Sequence, residues 1–274
     1  MPTETETKTN TMPQTPVDPP LKWAGGKRWL VPFFAKLLPQ FKIYSFIEPF
    51  CGAAAVTLGC RPQCSFISDI NYPLINFYAQ VQKGLKVDFD LRNEKEYYYE
   101  VRTKFNAMLK DPKHDREELA LMFYYLNRTG FNGLCRFNNK GEYNVPFGRY
   151  RVIYYRSNFD DIRNALSATA ICNCSYDKVP VTKDDDFVYA DPPYDVEFTK
   201  YSARDFTWED QVALANWLTY LPCPFVVSNS ATPRILDLYR KCGFNMKMID
   251  APRRIAANGN RDTAFEVLAS NVPI

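Results

Sequence analysis

The feature that most restricts the fold of this chain is an alternation of short apolar segments with longer segments of helical pattern. Short runs rich in β-branched and aromatic residues predict strands, and the stretches between them predict helices. The predicted strands are 44–48, 64–68, 187–190, 224–228, 244–249 and 265–270, and the predicted helices are 26–38, 53–60, 72–83, 208–221 and 233–242. Strands that alternate with helices favour a mostly parallel sheet covered by helices, so we predict an α/β fold.

The alternation stops between residues 87 and 176. Within this stretch, residues 93–128 are rich in Glu, Lys, Tyr and Leu and have a helical pattern, which indicates a mostly helical domain inserted into the α/β domain. Residues 1–20 hold six threonines and five prolines and little apolar surface to bury. We therefore predict a disordered tail (1–20), an α/β domain (21–86 and 177–274) and an insertion (87–176).

The composition excludes several classes of protein. Hydrophobic residues make up 46% and charged residues 24% of the chain, which is typical of a folded globular protein. No apolar run approaches the roughly 18 residues that a membrane span needs. His114 is the single histidine and no residue cluster implies a metal. Eight cysteines without zinc-ligand spacing or a secretory signal predict reduced thiols and a cytoplasmic location.

Positive charge is concentrated in one part of the insertion. The net charge of the whole chain is only +3, but residues 128–156 contain six basic residues against one acidic residue, with aromatic residues between them. Arginines interleaved with aromatic rings are typical of segments that bind phosphates and stack on bases. A solvated basic face with its rings packed inward would have the same composition, so the pattern leaves both interpretations open.

The most specific motif is Asp191-Pro192-Pro193-Tyr194, directly after the predicted strand 187–190. A parallel strand that ends there delivers the motif to the carboxyl edge of the sheet, where ligands bind in open α/β folds. An exocyclic adenine amine could donate its two hydrogens to the Asp191 carboxylate and the Pro192 carbonyl, which would make the nitrogen more nucleophilic. Tyr194 could stack on the base. The structural alternative is a proline turn that ends a strand.

Two further motifs fit a cofactor that contains adenosine. Residues 48–54 read Glu-Pro-Phe-Cys-Gly-Ala-Ala after the first predicted strand, which predicts a tight turn into a helix. Asp69 follows the next strand, at about the spacing that lets a carboxylate reach ribose hydroxyls, although it could instead cap the following helix. Residues 22–27 read Lys-Trp-Ala-Gly-Gly-Lys, where two glycines permit close backbone approach.

Five motifs occur in a fixed order along the chain: K-W-A-G-G-K, E-P-F-x-G, N-G-L-C-R (132–136), N-V-P-F-G-R-Y (144–150) and D-P-P-Y. With these motifs the chain resembles the Dam-type DNA adenine-N6 methyltransferases over about residues 21–270. The resemblance implies a Rossmann-like sheet that depends on S-adenosylmethionine. It implies methyl transfer to the adenine of GATC in double-stranded DNA after base flipping, with the insertion as target-recognition domain. It implies neither membrane association nor an obligatory protein partner.

The resemblance also implies roles for individual residues. The residues of the catalytic turn would be Asp191, Pro192, Pro193 and Tyr194. The residues that contact the cofactor would be Trp23, Lys27, Phe50, Gly52, Asp69 and Asp191. The residues that meet DNA would be Lys22, Phe131, Asn132, Leu134, Arg136, Pro146, Arg149 and Tyr150. Among the DNA contacts, we expect the Arg136 guanidinium to bind guanine O6 and N7. We expect the Phe131 ring to act as a wedge in the base stack.

The sequence departs from the family pattern at Ala54, where the family usually has a second glycine. We expect this change to alter the affinity for the cofactor without abolishing binding. Residues 195–207 are expected to close over the flipped base. A basic C-terminal loop either binds phosphates or is solvated, and its members are Arg253, Arg254, Asn258 and Arg261.

Two other functions are compatible with these motifs. The first is a DNA-binding protein that keeps the fold without transferring methyl groups, and the intact D-P-P-Y motif argues against it. The second is a methyltransferase that acts on cytosine N4 or on RNA. Asp rather than Ser before Pro-Pro, together with the Dam-like insertion, favours adenine in DNA.

Overall fold

The structure is a computed structural model of the 274-residue chain that describes residues 15–181, 183–195, 206–251 and 264–274. Its strands are β1 (Ser45–Glu48), β2 (Ser65–Ser68), β3 (Thr169–Cys172), β4 (Asp186–Ala190), β5 (Phe225–Ser230), β6 (Asn245–Ala251) and β7 (Ala264–Ser270). They form one sheet in the order β3-β2-β1-β4-β5-β7-β6. Strands β1 to β5 are parallel, and β7 is antiparallel to both β5 and β6. The predicted α/β fold is confirmed.

The α-helices of the described residues are α1 (Val31–Leu37), α2 (Ala55–Cys60), α3 (Tyr72–Lys83), α4 (Lys95–Lys110), α5 (Arg116–Thr129), α6 (Asp160–Ala165), α7 (Trp208–Thr219) and α8 (Pro233–Lys241). Short 3-10 helices span Arg28–Leu30, Leu38–Gln40, Phe131–Gly133 and Tyr176–Lys178. Side-chain caps begin several helices: Asn71 accepts the Leu74 amide at the start of α3, and Thr207 and Asp210 form a capping box on α7.

The long helical segment predicted over 93–128 is two helices, α4 and α5. Pro112 follows Asp111 directly after α4, and a proline disfavours helical conformation in the residue before it. Asp115 then accepts hydrogen bonds from the amides of Glu117 and Glu118 and so caps α5. A helix break and a new cap within a few residues explain the separation.

Strand β3 was not predicted, and it lies inside the range assigned to the insertion (87–176). Its four residues pair in parallel with β2, with Ser68 opposite Cys172, so this part of the chain belongs to the sheet. Only one of the four β3 residues is fully buried, which is why the segment lacks the apolar signature of the other strands. The position of β2 beside it, rather than its own sequence, makes it a strand.

The predicted tail extends too far. Residues 15–20 are described and pack against the body of the protein, where Val17 and Pro20 are buried. The Val17 amide donates to the Leu58 carbonyl at 3.1 Å. The prediction that order begins near Leu21 is therefore wrong for residues 15–20, because the buried Val17 side chain and its backbone hydrogen bond to α2 hold this segment.

The core has parts on both faces of the sheet. Strand β4 alternates between them, with Val188 and Ala190 in one cluster and Phe187 and Tyr189 in another, as expected for a central strand covered on both sides. A third cluster runs from the sheet through α3 into α4 and α5. In it, the ring of Phe77 stacks on that of Tyr124 with centroids 5.9 Å apart. The insertion thus shares its core with the sheet.

Candidate active site

The Asp191 carboxylate lies just beyond the carboxyl end of β4 and is held from two directions. Its Oδ1 atom is 3.1 Å from the ammonium nitrogen of Lys27. The same oxygen accepts a hydrogen bond of 2.7 Å from the Ser228 hydroxyl on the neighbouring strand β5. Among the described residues, no group donates a hydrogen bond to the second oxygen, Oδ2. One carboxylate oxygen is therefore fixed by the protein and the other can accept from a ligand.

Lys27 connects the K-W-A-G-G-K motif to the D-P-P-Y motif. Its side chain is 5% exposed, and its Nζ atom donates to the Gly25 carbonyl at 2.6 Å. Gly25 has a φ of +78°, in the left-handed region that favours glycine. The Lys27 ammonium also lies 4.6 Å from the centroid of the Tyr194 ring, within the range of a cation–π contact. Two motifs far apart in the sequence thus form one cluster.

Tyr194 is held at its hydroxyl end. The hydroxyl donates to Glu266 Oε2 on β7 at 2.6 Å. Burial, followed by the negative charges of Asp191 and Glu266, raises the pKa of Tyr194 well above its ordinary value, so the hydroxyl stays protonated. The ring is consequently anchored at its tip while Lys27 contacts its face. Neither Glu266 nor Ser228 was predicted from the sequence, although both are polar residues on strands, with Ser228 on β5 next to β4 and Glu266 on β7 beyond it.

The turn after β1 packs against Trp23 and Asp69. Gly52 has a φ of +46°, and a Cβ atom at this position would lie 2.6 Å from Trp23 Nε1, so glycine is required by both conformation and space. The Gly52 amide donates to Asp69 Oδ2 at 3.2 Å, and the Asn71 amide donates to Oδ1 at 2.9 Å. The structure therefore brings three of the predicted cofactor residues together at the carboxyl edge of the sheet.

Two hydrophobic residues lie beside this turn, Phe50 within it and Ile70 next to Asp69. The Phe50 ring stacks on Tyr176 with centroids 5.3 Å apart and meets Phe206 edge-on, so it packs within a hydrophobic cluster. Ile70, which sequence analysis did not single out, follows Asp69 and is 66% exposed. The exposed Ile70 side chain, next to Asp69 at the sheet edge, is available for contact with a ligand.

Buried carboxyl groups lie beneath this edge. Glu48 ends β1 and its Oε2 atom accepts from both the amide and the hydroxyl of Thr57. Burial raises the pKa of Glu48 to about 8, against the opposing effect of these hydrogen bonds, and the charge of Asp191 raises it further. Burial also raises the pKa of Asp69. At neutral pH the protonated Glu48 carboxyl therefore adds little negative charge beneath this edge.

Lys22 joins the N-terminal motif to the insertion. Its backbone amide and carbonyl both bond to the Asn127 side chain at 2.8 Å, and its Nζ atom donates to the Arg128 carbonyl at 2.9 Å. The Lys22 ammonium lies 3.7 Å from the centroid of the Tyr150 ring. Gly133 has a φ of +61°, and a Cβ atom there would lie 2.2 Å from Lys22 Cβ. Burial, then the charge of Arg128, lowers the pKa of Lys22 to about 8.

The remaining predicted DNA contacts lie around the 3-10 helix Phe131–Gly133. The Phe131 amide donates to the Pro146 carbonyl at 2.9 Å, while the Phe131 ring is 45% exposed. Asn132 and Arg149 both have a φ of +52°. Arg136 Nε donates to Asn144 Oδ1 at 2.7 Å, which fixes the guanidinium.

Leu134 differs from these residues because its side chain is partly buried against the core. The segment expected to close over the base is described only at residues 195, 206 and 207, and residues 196–205 lie outside the described residues. The basic C-terminal loop also lies outside them, at Arg253, Arg254, Asn258 and Arg261. In the described ranges, no group of His, Cys, Asp and Glu side chains could hold a metal ion. No helix in these ranges has the length and apolar character of a membrane span.

Comparison with known proteins identifies the family. The family model described as D12 class N6 adenine-specific DNA methyltransferase matches residues 23–255. The chain belongs to this family. The DNA adenine methylase of Vibrio cholerae serotype O1 is 35% identical over 273 residues, which covers 92% of this chain and 95% of that protein. The DNA adenine methylase of Escherichia coli K12 is 34% identical over 272 residues, with the same two coverages.

A phage protein is similar as well. The DNA N-6-adenine-methyltransferase of Escherichia phage P1 is 33% identical over 267 residues, which covers 90% of this chain but 34% of the phage protein. Membership of the D12 class confirms the resemblance identified from the motifs. It also supports adenine-N6 methylation of DNA as the activity of this chain. The cluster of Lys27, Asp191 and Tyr194 is therefore the candidate active site of a D12-class methyltransferase.

Proposed function

We propose that this D12-class protein transfers the methyl group of S-adenosylmethionine to N6 of the adenine in GATC, in double-stranded DNA, after turning that adenine out of the helix. The observation that carries the proposal is the Asp191 carboxylate, which is fixed at Oδ1 by Lys27 and Ser228, while no described residue donates a hydrogen bond to Oδ2. It stands beside the anchored Tyr194 ring at the sheet edge where the turn at Gly52 meets Asp69.

The residues at this edge fit S-adenosylmethionine. The Asp69 carboxylate is oriented by two backbone amides, and its remaining lone pairs suit the two vicinal hydroxyls of a ribose. The exposed Ile70 side chain suits the apolar face of an adenine ring. Trp23 and Lys27 offer N–H donors for a carboxylate, and Phe50 and Gly52 shape the turn. When bound, the cofactor supplies an electrophilic methyl group on a sulfonium.

The catalytic turn would act on the adenine amine through hydrogen bonds. The Asp191 Oδ2 atom would accept one N–H and the Pro192 carbonyl the other, which draws the nitrogen lone pair out of the ring. Tyr194 would stack on the base, and Pro193 would keep the turn rigid. The reaction would need alignment and electrostatic support, with no covalent enzyme intermediate.

The insertion would bind and read the DNA. In this proposal residues 87–176 recognise the target and residues 21–86 with 177–274 carry the chemistry, while strand β3 completes the sheet. Phe131, with nearly half of its ring exposed, would fill the gap left by the flipped base. Arg136, oriented by Asn144, would read guanine.

Five other residues would contact the duplex around the base that is read. These are Lys22, Asn132, Pro146, Arg149 and Tyr150. Leu134 would add an apolar contact through the part of its side chain that stays accessible. DNA would be the one partner the proposal requires, without an obligatory protein partner. The setting would be the cytoplasm of a prokaryotic cell, for a protein encoded by the cell or by a virus.

The test is a methylation assay with mapped products. Purified protein is incubated with S-adenosylmethionine and an unmethylated plasmid, and N6-methyladenine is quantified by mass spectrometry and located in the sequence. We expect N6-methyladenine confined to GATC in the parent protein and none with Asp191→Ala. Methyladenine in another sequence would overturn the target, and N4-methylcytosine would overturn the base. DNA binding without any product would favour the binding-only alternative.

A further inference from the structure

Two buried side-chain amides hold the backbone of the catalytic turn from outside the substrate site. Gln211 Nε2, on α7, donates to the Pro193 carbonyl at 2.8 Å. Asn229 Nδ2, on β5, donates to Gln211 Oε1 at 2.9 Å. Gln211 is 2% exposed and Asn229 is fully buried. The amide groups therefore form a chain from the sheet, through α7, to the backbone of the turn.

The Asn229 amide also binds the turn directly. Its Oδ1 atom accepts from the Asp195 amide at 3.2 Å, and its Nδ2 atom makes a second contact of 3.2 Å with the Tyr239 hydroxyl. Gln211 consequently fixes the Pro193 carbonyl before Tyr194, and Asn229 fixes the Asp195 N–H after it. Both peptide groups that flank the stacking residue are held by side chains that do not face the substrate.

The composition of the turn explains why it needs this support. Pro192 and Pro193 have no N–H groups, so neither can donate a backbone hydrogen bond to hold the turn in place. The orientation of the peptide after Pro193 sets the direction of both the Tyr194 ring and the preceding carbonyl of Pro192. Gln211 supplies a donor to the Pro193 carbonyl, and this donor comes from a side chain that is itself buried.

We propose that Gln211 and Asn229 are positioning residues for methyl transfer: they hold the turn so that the Pro192 carbonyl and the Tyr194 ring are aligned before DNA binds. The inference rests on the proposed function of the turn. It predicts that loss of the Gln211 amide slows the chemical step while leaving cofactor affinity unchanged, because among the described residues Gln211 and Asn229 share no hydrogen bond with Gly52 or Asp69.

The chain contains a matched control. Gln80 on α3 donates from Nε2 to Asn76 Oδ1 at 3.2 Å, and both side chains are about as buried as Gln211, at 5% and 4% exposed. This second Gln–Asn pair bonds within α3 and, through Asn76, to the Arg116 carbonyl, and it shares no hydrogen bond with the described part of the catalytic turn. Gln80→Met and Gln211→Met therefore remove the same amide and keep a similar volume, and only the second should change the geometry of the turn.

The experiment compares the parent, Gln211→Met and Gln80→Met by kcat at saturating DNA and cofactor, by Kd for S-adenosylmethionine and by thermal unfolding. We expect Gln211→Met to lower kcat by about 100-fold, as for a misaligned reacting group, with an unchanged Kd. Gln80→Met should keep the parent kcat even if its Tm falls. Fluorescence of 2-aminopurine at the target position should show that Gln211→Met still flips the base but orders it poorly.

The inference would be overturned if Gln211→Met had the same kcat as the parent. It would also be overturned if Gln211→Met and Gln80→Met lost kcat equally while their Tm values fell equally. If Gln211→Met does not fold, Gln211→Asn replaces it. The asparagine side chain is one methylene shorter, so its amide does not reach the Pro193 carbonyl, and the variant should show the same loss of kcat. A parent protein that makes no N6-methyladenine would overturn the proposed function, whereas an active parent with equally active Gln211 variants would overturn only this inference.

Discussion

The Lys27 ammonium lies 3.1 Å from Asp191 Oδ1, and the two side chains are only 5% and 20% exposed. The Ser228 hydroxyl donates to the same oxygen. Removing one member of such a largely buried pair leaves the other charge without compensation, which costs more than the pair itself contributes. The position of the carboxylate at the sheet edge therefore depends on Lys27, which comes from the other end of the chain.

The first prediction concerns Lys27→Met. The variant should lose about 3 kcal/mol of unfolding free energy and nearly all methylation activity, because the Asp191 charge loses its partner. Denaturant titration and the methylation assay measure the two effects. The double variant Lys27→Met/Asp191→Asn is the control, and it should recover part of the stability but no activity. A single variant as stable as the parent would contradict the role assigned to the ion pair.

The second prediction concerns the pH dependence of stability through Glu48. Because burial raises the pKa of Glu48 to about 8, the folded protein retains a proton that the unfolded chain has released above its ordinary pKa of 4.5. Stability from this group is therefore fully present below about pH 4.5 and is lost as pH rises to about 8, at up to roughly 1.4 kcal/mol per pH unit.

Glu48→Gln removes this titration. Denaturant titrations at pH 5.5 and pH 8 should show a smaller loss of stability with rising pH in the variant than in the parent. The difference between the two proteins isolates Glu48 from the other titrating groups. Parallel pH profiles would show that the carboxyl is not protonated in the folded state.

The third prediction concerns Ala54, the N-cap residue directly before α2, which has φ 50° and ψ 36°. A left-handed alanine costs about 1–2 kcal/mol, whereas glycine would cost about 0.5–1 kcal/mol in chain entropy and would lose a buried methyl group. Ala54→Gly should consequently change stability by less than about 1 kcal/mol. Calorimetric titration should find measurable binding of S-adenosylmethionine by both proteins, with different affinities.

Ala53→Gly is the control for this substitution. Ala53 is equally buried but is not among the residues with positive φ, so glycine there should lower stability without relief of strain. No measurable binding of cofactor by the parent would contradict the expectation that Ala54 is tolerated.

The fourth prediction separates reading of bases from binding of phosphates. Arg136→Ala should reduce discrimination at the guanine of the target by about 1–3 kcal/mol, and Asn144→Ala should reduce it less, since it removes only the contact to Arg136 Nε. Arg149→Ala or Arg151→Ala should instead weaken binding to all sequences. Either should also reduce the slope of log K against the logarithm of the salt concentration by about one. Titrations with duplexes that differ at guanine, at two salt concentrations, measure both. Identical behaviour of these arginines would contradict the division.

Much of the fold could be predicted from local patterns. Helix α3 begins and ends where its periodicity predicts, between a capping Asn71 and a C-terminal glycine in the left-handed region. Strand β4 ends at Ala190, so the D-P-P-Y motif follows the sheet edge as predicted. These features depend on residues close together in the chain. Strand β3 escaped prediction because its pairing with β2, and not its own composition, defines it.

The sequence by itself determined the α/β class and most of its helices and strands, because hydrophobic periodicity, caps and glycine turns act locally. It also predicted the insertion and the residue types proposed to meet ligands. Only the tertiary structure decided which residues contact one another: Lys27 contacts Asp191, Glu266 contacts Tyr194 and Gln211 contacts the Pro193 carbonyl. These contacts join elements distant in the chain. The hydrophobic periodicity of the sequence indicates which side chains are buried. It does not indicate which residues they contact, because those contacts are set by the packing of the sheet against its helices.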